Sequence, residues 1–212
     1  MSDVLAGLGR HRLVPVVVLD SAADASGLAD ALVAGGLPVA EVTFRTAAAV
    51  ESIRVMAKRG DMLVGAGTVL TPEQVDQAAD AGASYIVSPG FSREVVLRCA
   101  ERGVLALPGA VTASEVMAAV DLGVTTVKFF PAETSGGAAA VKALAAPFKD
   151  VRFVPTGGVG PKNVRDYLAI PSVHAVGGSW MVPRELIASG DFDQVRRLTA
   201  DAVALVGREA LV

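Results

Sequence analysis

The chain is poor in the residues that build metal centres and cross-links. It has one cysteine, Cys99, and two histidines, His11 and His174. One thiol cannot close an internal disulfide, and two distant histidines without HExxH spacing give no zinc motif. No metal is therefore expected. Positive charge is also scarce: 19 Lys and Arg stand against 22 Asp and Glu, a formal net charge of −3. Binding a phosphate backbone takes a basic excess, so no nucleic-acid partner is expected. An anionic ligand must be held by a few local groups. No apolar run reaches the roughly 18 residues of a membrane span, so no membrane partner is expected. Arg10-His11-Arg12 ahead of the apolar stretch 13–19 loosely imitates a secretory signal, but Pro15 interrupts that stretch and Asp20 ends it. Cleavage would also remove a good core strand. A reducing compartment, the cytoplasm, is the expectation.

Apolar residues are abundant. They make up 52% of 212 residues, with only 19% charged, enough for a sizeable core and too much for disorder. No Ser/Gly linker or charge run marks a boundary, so one domain over 1–212 is expected. Short β-rich runs alternate with Ala-rich stretches of helical period. The runs 14–19, 39–44, 62–66, 85–87, 104–107, 126–130, 152–154 and 173–176 read as strands. Helices are predicted near 24–35, 47–59, 72–82, 92–102, 112–122, 138–147, 160–168 and 183–206, with a lead helix near 3–10. Thr71-Pro72 reads as an N-cap followed by a first-turn proline. Thr112-Ala113-Ser114-Glu115 reads as a capping box. Eight strand–helix units predict an α/β chain folded as a (β/α)8 TIM barrel with an extra N-terminal helix. A flavodoxin-like sheet with fewer strands is the alternative fold.

In a barrel, chemistry sits at the C-terminal ends of the strands. There the sequence collects Glu41, Arg45, Thr68, Pro89, Lys128, Thr156 and two glycine pairs, Gly157-Gly158 and Gly177-Gly178. Lys128 lies inside an apolar run, Val127-Lys128-Phe129-Phe130, and strand alternation turns it inward if the outer face packs on helices. Lysine is rarely buried without a reason. It is either a structural, salt-bridged lysine or a Schiff-base nucleophile. Burial among apolar groups disfavours the charged form of an amine, which is how a lysine becomes nucleophilic. Glu41 shares one strand face with Thr43 and Arg45. It is either half of a structural ion pair or a general acid and base beside the lysine. Glycine loops after the last two strands are the recurrent anion site of barrels, and Ser179 could add a hydroxyl or merely cap a helix. Arg45 could hold a carboxylate bidentately or lie idle on the surface. Thr68 could be only a helix cap. Cys99 and Trp180 read as packing residues. His174 reads as a hydrogen-bonded core residue in a strand.

Glu41-Val-Thr-Phe-Arg45-Thr, Gly65-Ala-Gly-Thr68-Val, Val87-Ser-Pro-Gly90, Lys128-Phe-Phe-Pro-Ala-Glu133, Pro155-Thr-Gly-Gly158-Val and Gly178-Ser179-Trp180 occur in this order. Together they resemble the KDPG/KHG aldolase family, the 2-keto-3-deoxy-6-phosphogluconate aldolases. The resemblance runs from about Val14 to beyond Trp180. It implies a class I aldolase, a lyase, on a (β/α)8 barrel, acting as a homotrimer without metal or cofactor. Its partners would be a small phosphorylated keto acid and pyruvate. By that resemblance Lys128 forms the Schiff base and Glu41 moves protons through a bound water. Arg45 and Thr68, with Thr156 close, bind the carboxylate, and Pro89 and Phe130 line the pocket. Gly157, Gly158, Gly178 and Ser179 hold the phosphate. Phe44 stands where the family often has leucine. The galactonate epimer or 4-hydroxy-2-oxoglutarate is the alternative substrate. A phosphometabolite-binding barrel without chemistry is the alternative of another class.

Overall fold

A computed structural model describes residues 2–207. The one-domain expectation for 1–212 therefore extends at both ends past the described residues. The fold is α/β. A leading helix, α1 (Ser2–His11), precedes β1 (Leu13–Val17). Strand and helix then alternate: α2 (Ala25–Ala34), β2 (Val39–Thr43), α3 (Ala49–Ala57), β3 (Leu63–Gly67), α4 (Pro72–Asp80), β4 (Tyr85–Val87) and α5 (Arg93–Glu101). The second half continues with β5 (Leu105–Leu107), α6 (Ala113–Val120), β6 (Thr126–Phe129), α7 (Gly137–Ala145), β7 (Arg152–Pro155), α8 (Val164–Leu168) and β8 (Val176–Gly178). Two helices close the described chain, α9 (Arg184–Ala188) and α10 (Phe192–Val206).

The helix starts are written in side chains. Thr71 accepts from the Gln74 N–H ahead of Pro72, and Ser92 accepts from the Val95 N–H. Thr112 and Glu115 form the full reciprocal box. All the strand pairs are parallel, in a curled six-stranded sheet of order β5-β4-β3-β2-β1-β8 and a two-stranded sheet of β6 and β7. The first and last strands are neighbours, an arrangement that a doubly wound sheet lacks. Isolated parallel bridges, Gly109 to Lys128 and Thr156 to Gly177, lie where β5 meets β6 and β7 meets β8.

Parallel strands covered on both faces carry apolar side chains in both directions. Every residue of β2 is buried. Outside the sheet, Leu28, Leu32, Ile53, Met56, Val75 and Val95 are buried on the helices. Each such side chain contributes roughly 1.5–3 kcal/mol. On the inner face the register sets Glu41 beside Gly65, and Gly65 beside Tyr85. The Tyr85 ring fills the space that a Gly65 side chain would need, and its hydroxyl donates to the Ala40 carbonyl at 2.8 Å.

Three sequence expectations change. The helix expected over 183–206 is two helices. Gly190 turns at φ +70°, and Asp191 restarts the chain as an N-cap accepting from the Gln194 N–H. The last strand lies later than expected. Val173 makes only a single bridge to Phe153, whereas Val176, Gly177 and Gly178 pair with Leu13, Val14 and Pro15. His174 thus precedes the strand. Its Nε2–H donates to the Leu5 carbonyl at 2.7 Å and ties α1 to the sheet.

Candidate active site

Lys128 is the third residue of β6, set between Val154 of β7 and the bridge to Gly109. Its Nζ donates to Glu41 Oε1 at 3.1 Å, and the two residues are only 6% and 3% exposed. The same Nζ lies 5.1 Å from the centre of the Phe130 ring, within cation–π range. Buried ion pairs seldom repay their desolvation, so stability does not explain this one. What the geometry offers is a proton path. An ammonium must lose a proton before it can attack a carbonyl, and here a carboxylate oxygen already accepts that hydrogen bond.

Gly67 makes room for the carboxylate. A Cβ there would stand 2.7 Å from Glu41 Cγ and closer still to Oε1. The run Gly65-Ala66-Gly67 is therefore a spatial requirement of the interior. One glycine clears the Tyr85 ring and the other clears Glu41.

Thr68 follows directly and holds φ +58°. A β-branched residue there is strained by about 1–3 kcal/mol, a cost that concentrates at functional sites. It is not the cap of α4, which is Thr71. Pro89 is half-buried after β4, and its carbonyl fills the space beside Gly109. Thr156 is buried, with its side chain against the bare Gly177.

A cavity of about 450 Å³ opens at this face. Its walls include Arg45, Phe130, Thr156, Gly157, Gly158, Gly178 and Ser179. Lys128, Glu41, Thr68 and Pro89 are not wall residues; the Phe130 ring, which is, connects Lys128 to the cavity. Arg45 is exposed just beyond β2. Gly178 ends β8, and Ser179 follows it without capping α9, whose N-cap is Pro183. Among the described residues nothing accepts from the Gly158 N–H, the Ser179 N–H or the Ser179 hydroxyl. Open donors from two loops on one cavity suit an anion.

Sequence reasoning missed part of the wall. Trp180 is more than packing: its ring lies over Gly178 and lines the cavity. Its place next to Ser179 was the available signal. Arg184 and Glu185 also line the cavity, and no sequence pattern marks them. Arg184 Nε donates to Asp20 Oδ2 at 2.7 Å, which holds the Asp20 carboxyl below its ordinary range. Both side chains are well exposed, so this pair adds little stability.

The family described as KDPG and KHG aldolase matches residues 4–198. A curated relative, the 2-dehydro-3-deoxy-phosphogluconate aldolase of Treponema pallidum, is 49% identical over 98% of this chain and 99% of its own. Among solved structures, the 2-keto-3-deoxy-6-phosphogluconate aldolase of Zymomonas mobilis with 3-phosphoglycerate is 42% identical and superposes with a TM-score of 0.92 over 100% of both chains. The KDPG aldolase of Legionella pneumophila, with pyruvate captured as a covalent carbinolamine intermediate, is 38% identical. It superposes with a TM-score of 0.90 over 93% of this chain and 97% of that one.

Proposed function

The chain belongs to the KDPG and KHG aldolase family, a family of lyases, and from that premise we propose that it cleaves 2-keto-3-deoxy-6-phosphogluconate reversibly to pyruvate and glyceraldehyde 3-phosphate. The observation that carries this reading is the buried Lys128–Glu41 contact at 3.1 Å, beside a cavity whose Gly158 and Ser179 N–H groups have no acceptor among the described residues.

Glu41 takes a proton from Lys128, and the freed amine attacks the C2 ketone. Glu41 returns that proton to the carbinolamine hydroxyl, which leaves as water, and an iminium forms. Glu41, acting through a water, takes the C4 hydroxyl proton. The C3–C4 bonding electrons flow into the iminium, and glyceraldehyde 3-phosphate departs. The enamine that remains is protonated at C3, and hydrolysis releases pyruvate and the free amine. The iminium is the electron sink, so no metal or organic cofactor enters any step. In this reading Arg45 and Thr68, with Thr156 close, receive the substrate carboxylate, and Pro89 and Phe130 shape the pocket. Gly157, Gly158, Gly178 and Ser179 receive the phosphate.

The same reading makes the chain one domain in which the two sheets close into a single eight-stranded barrel; the bridges at Lys128 and Thr156 support that closure. It also makes the protein a cytoplasmic homotrimer. Leu97 on α5 and Met117 and Val120 on α6 are exposed apolar side chains that support self-association.

Turnover coupled to pyruvate reduction tests the substrate. The gluconate-derived phosphate ester should give the highest kcat/KM, ahead of its C4 epimer and of 4-hydroxy-2-oxoglutarate. Equal or better turnover of either rival would reassign the substrate. Phosphate-ester binding without turnover would refute catalysis.

A further inference from the structure

Glu133 and Tyr167 take no part in the steps above, yet both bear on the glycine loop at the phosphate end of the cavity. Glu133 ends the motif that begins at Lys128. Its N–H donates to the Gly157 carbonyl at 3.0 Å. Its Cβ and Cγ occupy the space beside Gly158, where an added Cβ would stand 2.7 and 2.5 Å from them. Its Oε1 accepts from the hydroxyl of Tyr167, a buried residue of α8. Burial first, and then Glu133, push the Tyr167 phenol well above its ordinary range. The hydroxyl therefore keeps its proton and remains a donor at neutral pH. From the other side, Asn163 Nδ2 donates to the Gly158 carbonyl at 3.1 Å.

Gly157 and Gly158 both hold positive φ, +96° and +79°. Glycine visits many backbone states at similar energy, so such a turn needs outside support to keep one geometry. An N–H group stabilises an anion best when it is already aimed. We propose that Glu133 and Tyr167 are positioning residues: the carboxylate, pinned by the tyrosine hydroxyl, braces the Gly157–Gly158 turn so that the Gly158 N–H faces the substrate's phosphoryl group. The inference rests on the phosphate reading of this loop. A carboxylate near a phosphate is repulsive, so the acceptor oxygen is what matters and the charge is not. A glutamine should serve as well.

The test compares two substrates, one with the phosphate and 4-hydroxy-2-oxoglutarate without it. Tyr167→Phe and Glu133→Ala should each raise KM for the phosphorylated substrate about tenfold, equivalent to about 1.4 kcal/mol. Their kcat should stay within about twofold of wild type, as for lost uniform binding. KM for 4-hydroxy-2-oxoglutarate should not move, and Glu133→Gln should restore the phosphorylated substrate. Equal changes for both substrates would mean a general structural role and overturn the proposal. An unchanged substrate preference in Tyr167→Phe would overturn it alone. A wild-type enzyme with no preference for the phosphate, and no response to Ser179→Ala, would overturn the phosphate reading and this inference with it.

Discussion

Gly67→Ala puts one methyl group into the interior at the point where Glu41 needs space. The new carbon would stand 2.7 Å from Glu41 Cγ and 2.9 Å from Cδ. Ordinary carbon contacts lie at about 3.5–4.0 Å, so something must move by about 1 Å. Gly67 is held in register with Thr43, and Thr43 Oγ1 is anchored to the Val17 carbonyl at 2.9 Å. The strand is therefore fixed, and the Glu41 side chain is what yields. A displacement of about 1 Å at a reacting group can cost about 10²-fold in rate. Overpacking should also cost about 1–3 kcal/mol of stability. The assay is coupled pyruvate production on purified variant, beside urea unfolding. Borohydride trapping of pyruvate should survive, because Lys128 remains. Gly60→Ala is the control: φ is +73° with nothing within 4 Å of the added Cβ, so about 1–2 kcal/mol of stability is lost and activity is kept. A folded Gly67→Ala variant within about threefold of wild-type kcat would refute the reasoning that the exact seat of Glu41 governs the rate.

Glu41→Ala strands a lysine that is only 6% exposed, and urea unfolding should report a loss of about 3–5 kcal/mol. The double variant Glu41→Leu with Lys128→Met should be inactive yet close to wild type in stability, since replacing both charges removes the desolvation cost; a double variant as unstable as Glu41→Ala would contradict this. Burial pushes the Cys99 thiol up to about 12, so iodoacetamide at pH 8 should label native protein about 10³-fold more slowly than urea-unfolded protein. Equal labelling rates would mean that Cys99 is reachable. Burial pushes the Glu115 carboxyl up, but hydrogen bonds from the Val111 N–H, the Thr112 hydroxyl and the Thr112 N–H outweigh it and hold the group below its ordinary value. Its stabilisation is full above the unfolded value and fades as pH falls through the lowered folded one. The stability gap between wild type and Glu115→Gln should therefore close in acid, and a gap that ignores pH would refute the capping role.

Much of the fold was legible because its signals are local. Strand alternation, Thr71-Pro72 and the Thr112–Glu115 box each act within a few residues, and the elements form where those signals point. The misplaced last strand depends on distant pairing, whereas the missed helix break at Gly190 and Asp191 was a local signal. Whether Val173 or Val176 begins the last strand is decided by Leu13 and Phe153, and periodicity cannot see either. Gly177 and Gly178 read as loop because glycine weakens strands, but each clears a neighbour's side chain, Thr156 or Trp180. In the site, Lys128 and Glu41 stood out as charges in apolar runs, and the structure brings them together across 87 positions of sequence. Arg184, Glu185 and the partnership of Glu133 with Tyr167 carried no such contrast. Their places at the cavity and its glycine loop are set only when the chain folds.

Incubation with pyruvate and borohydride, followed by peptide mapping, measures the chemistry at its first covalent step. One reduced adduct per chain, carried by the peptide that contains Lys128 and lost in Lys128→Met, is the expected result. An adduct on Lys142, Lys149 or any other lysine, or undiminished labelling of Lys128→Met, would contradict the mechanism at its root.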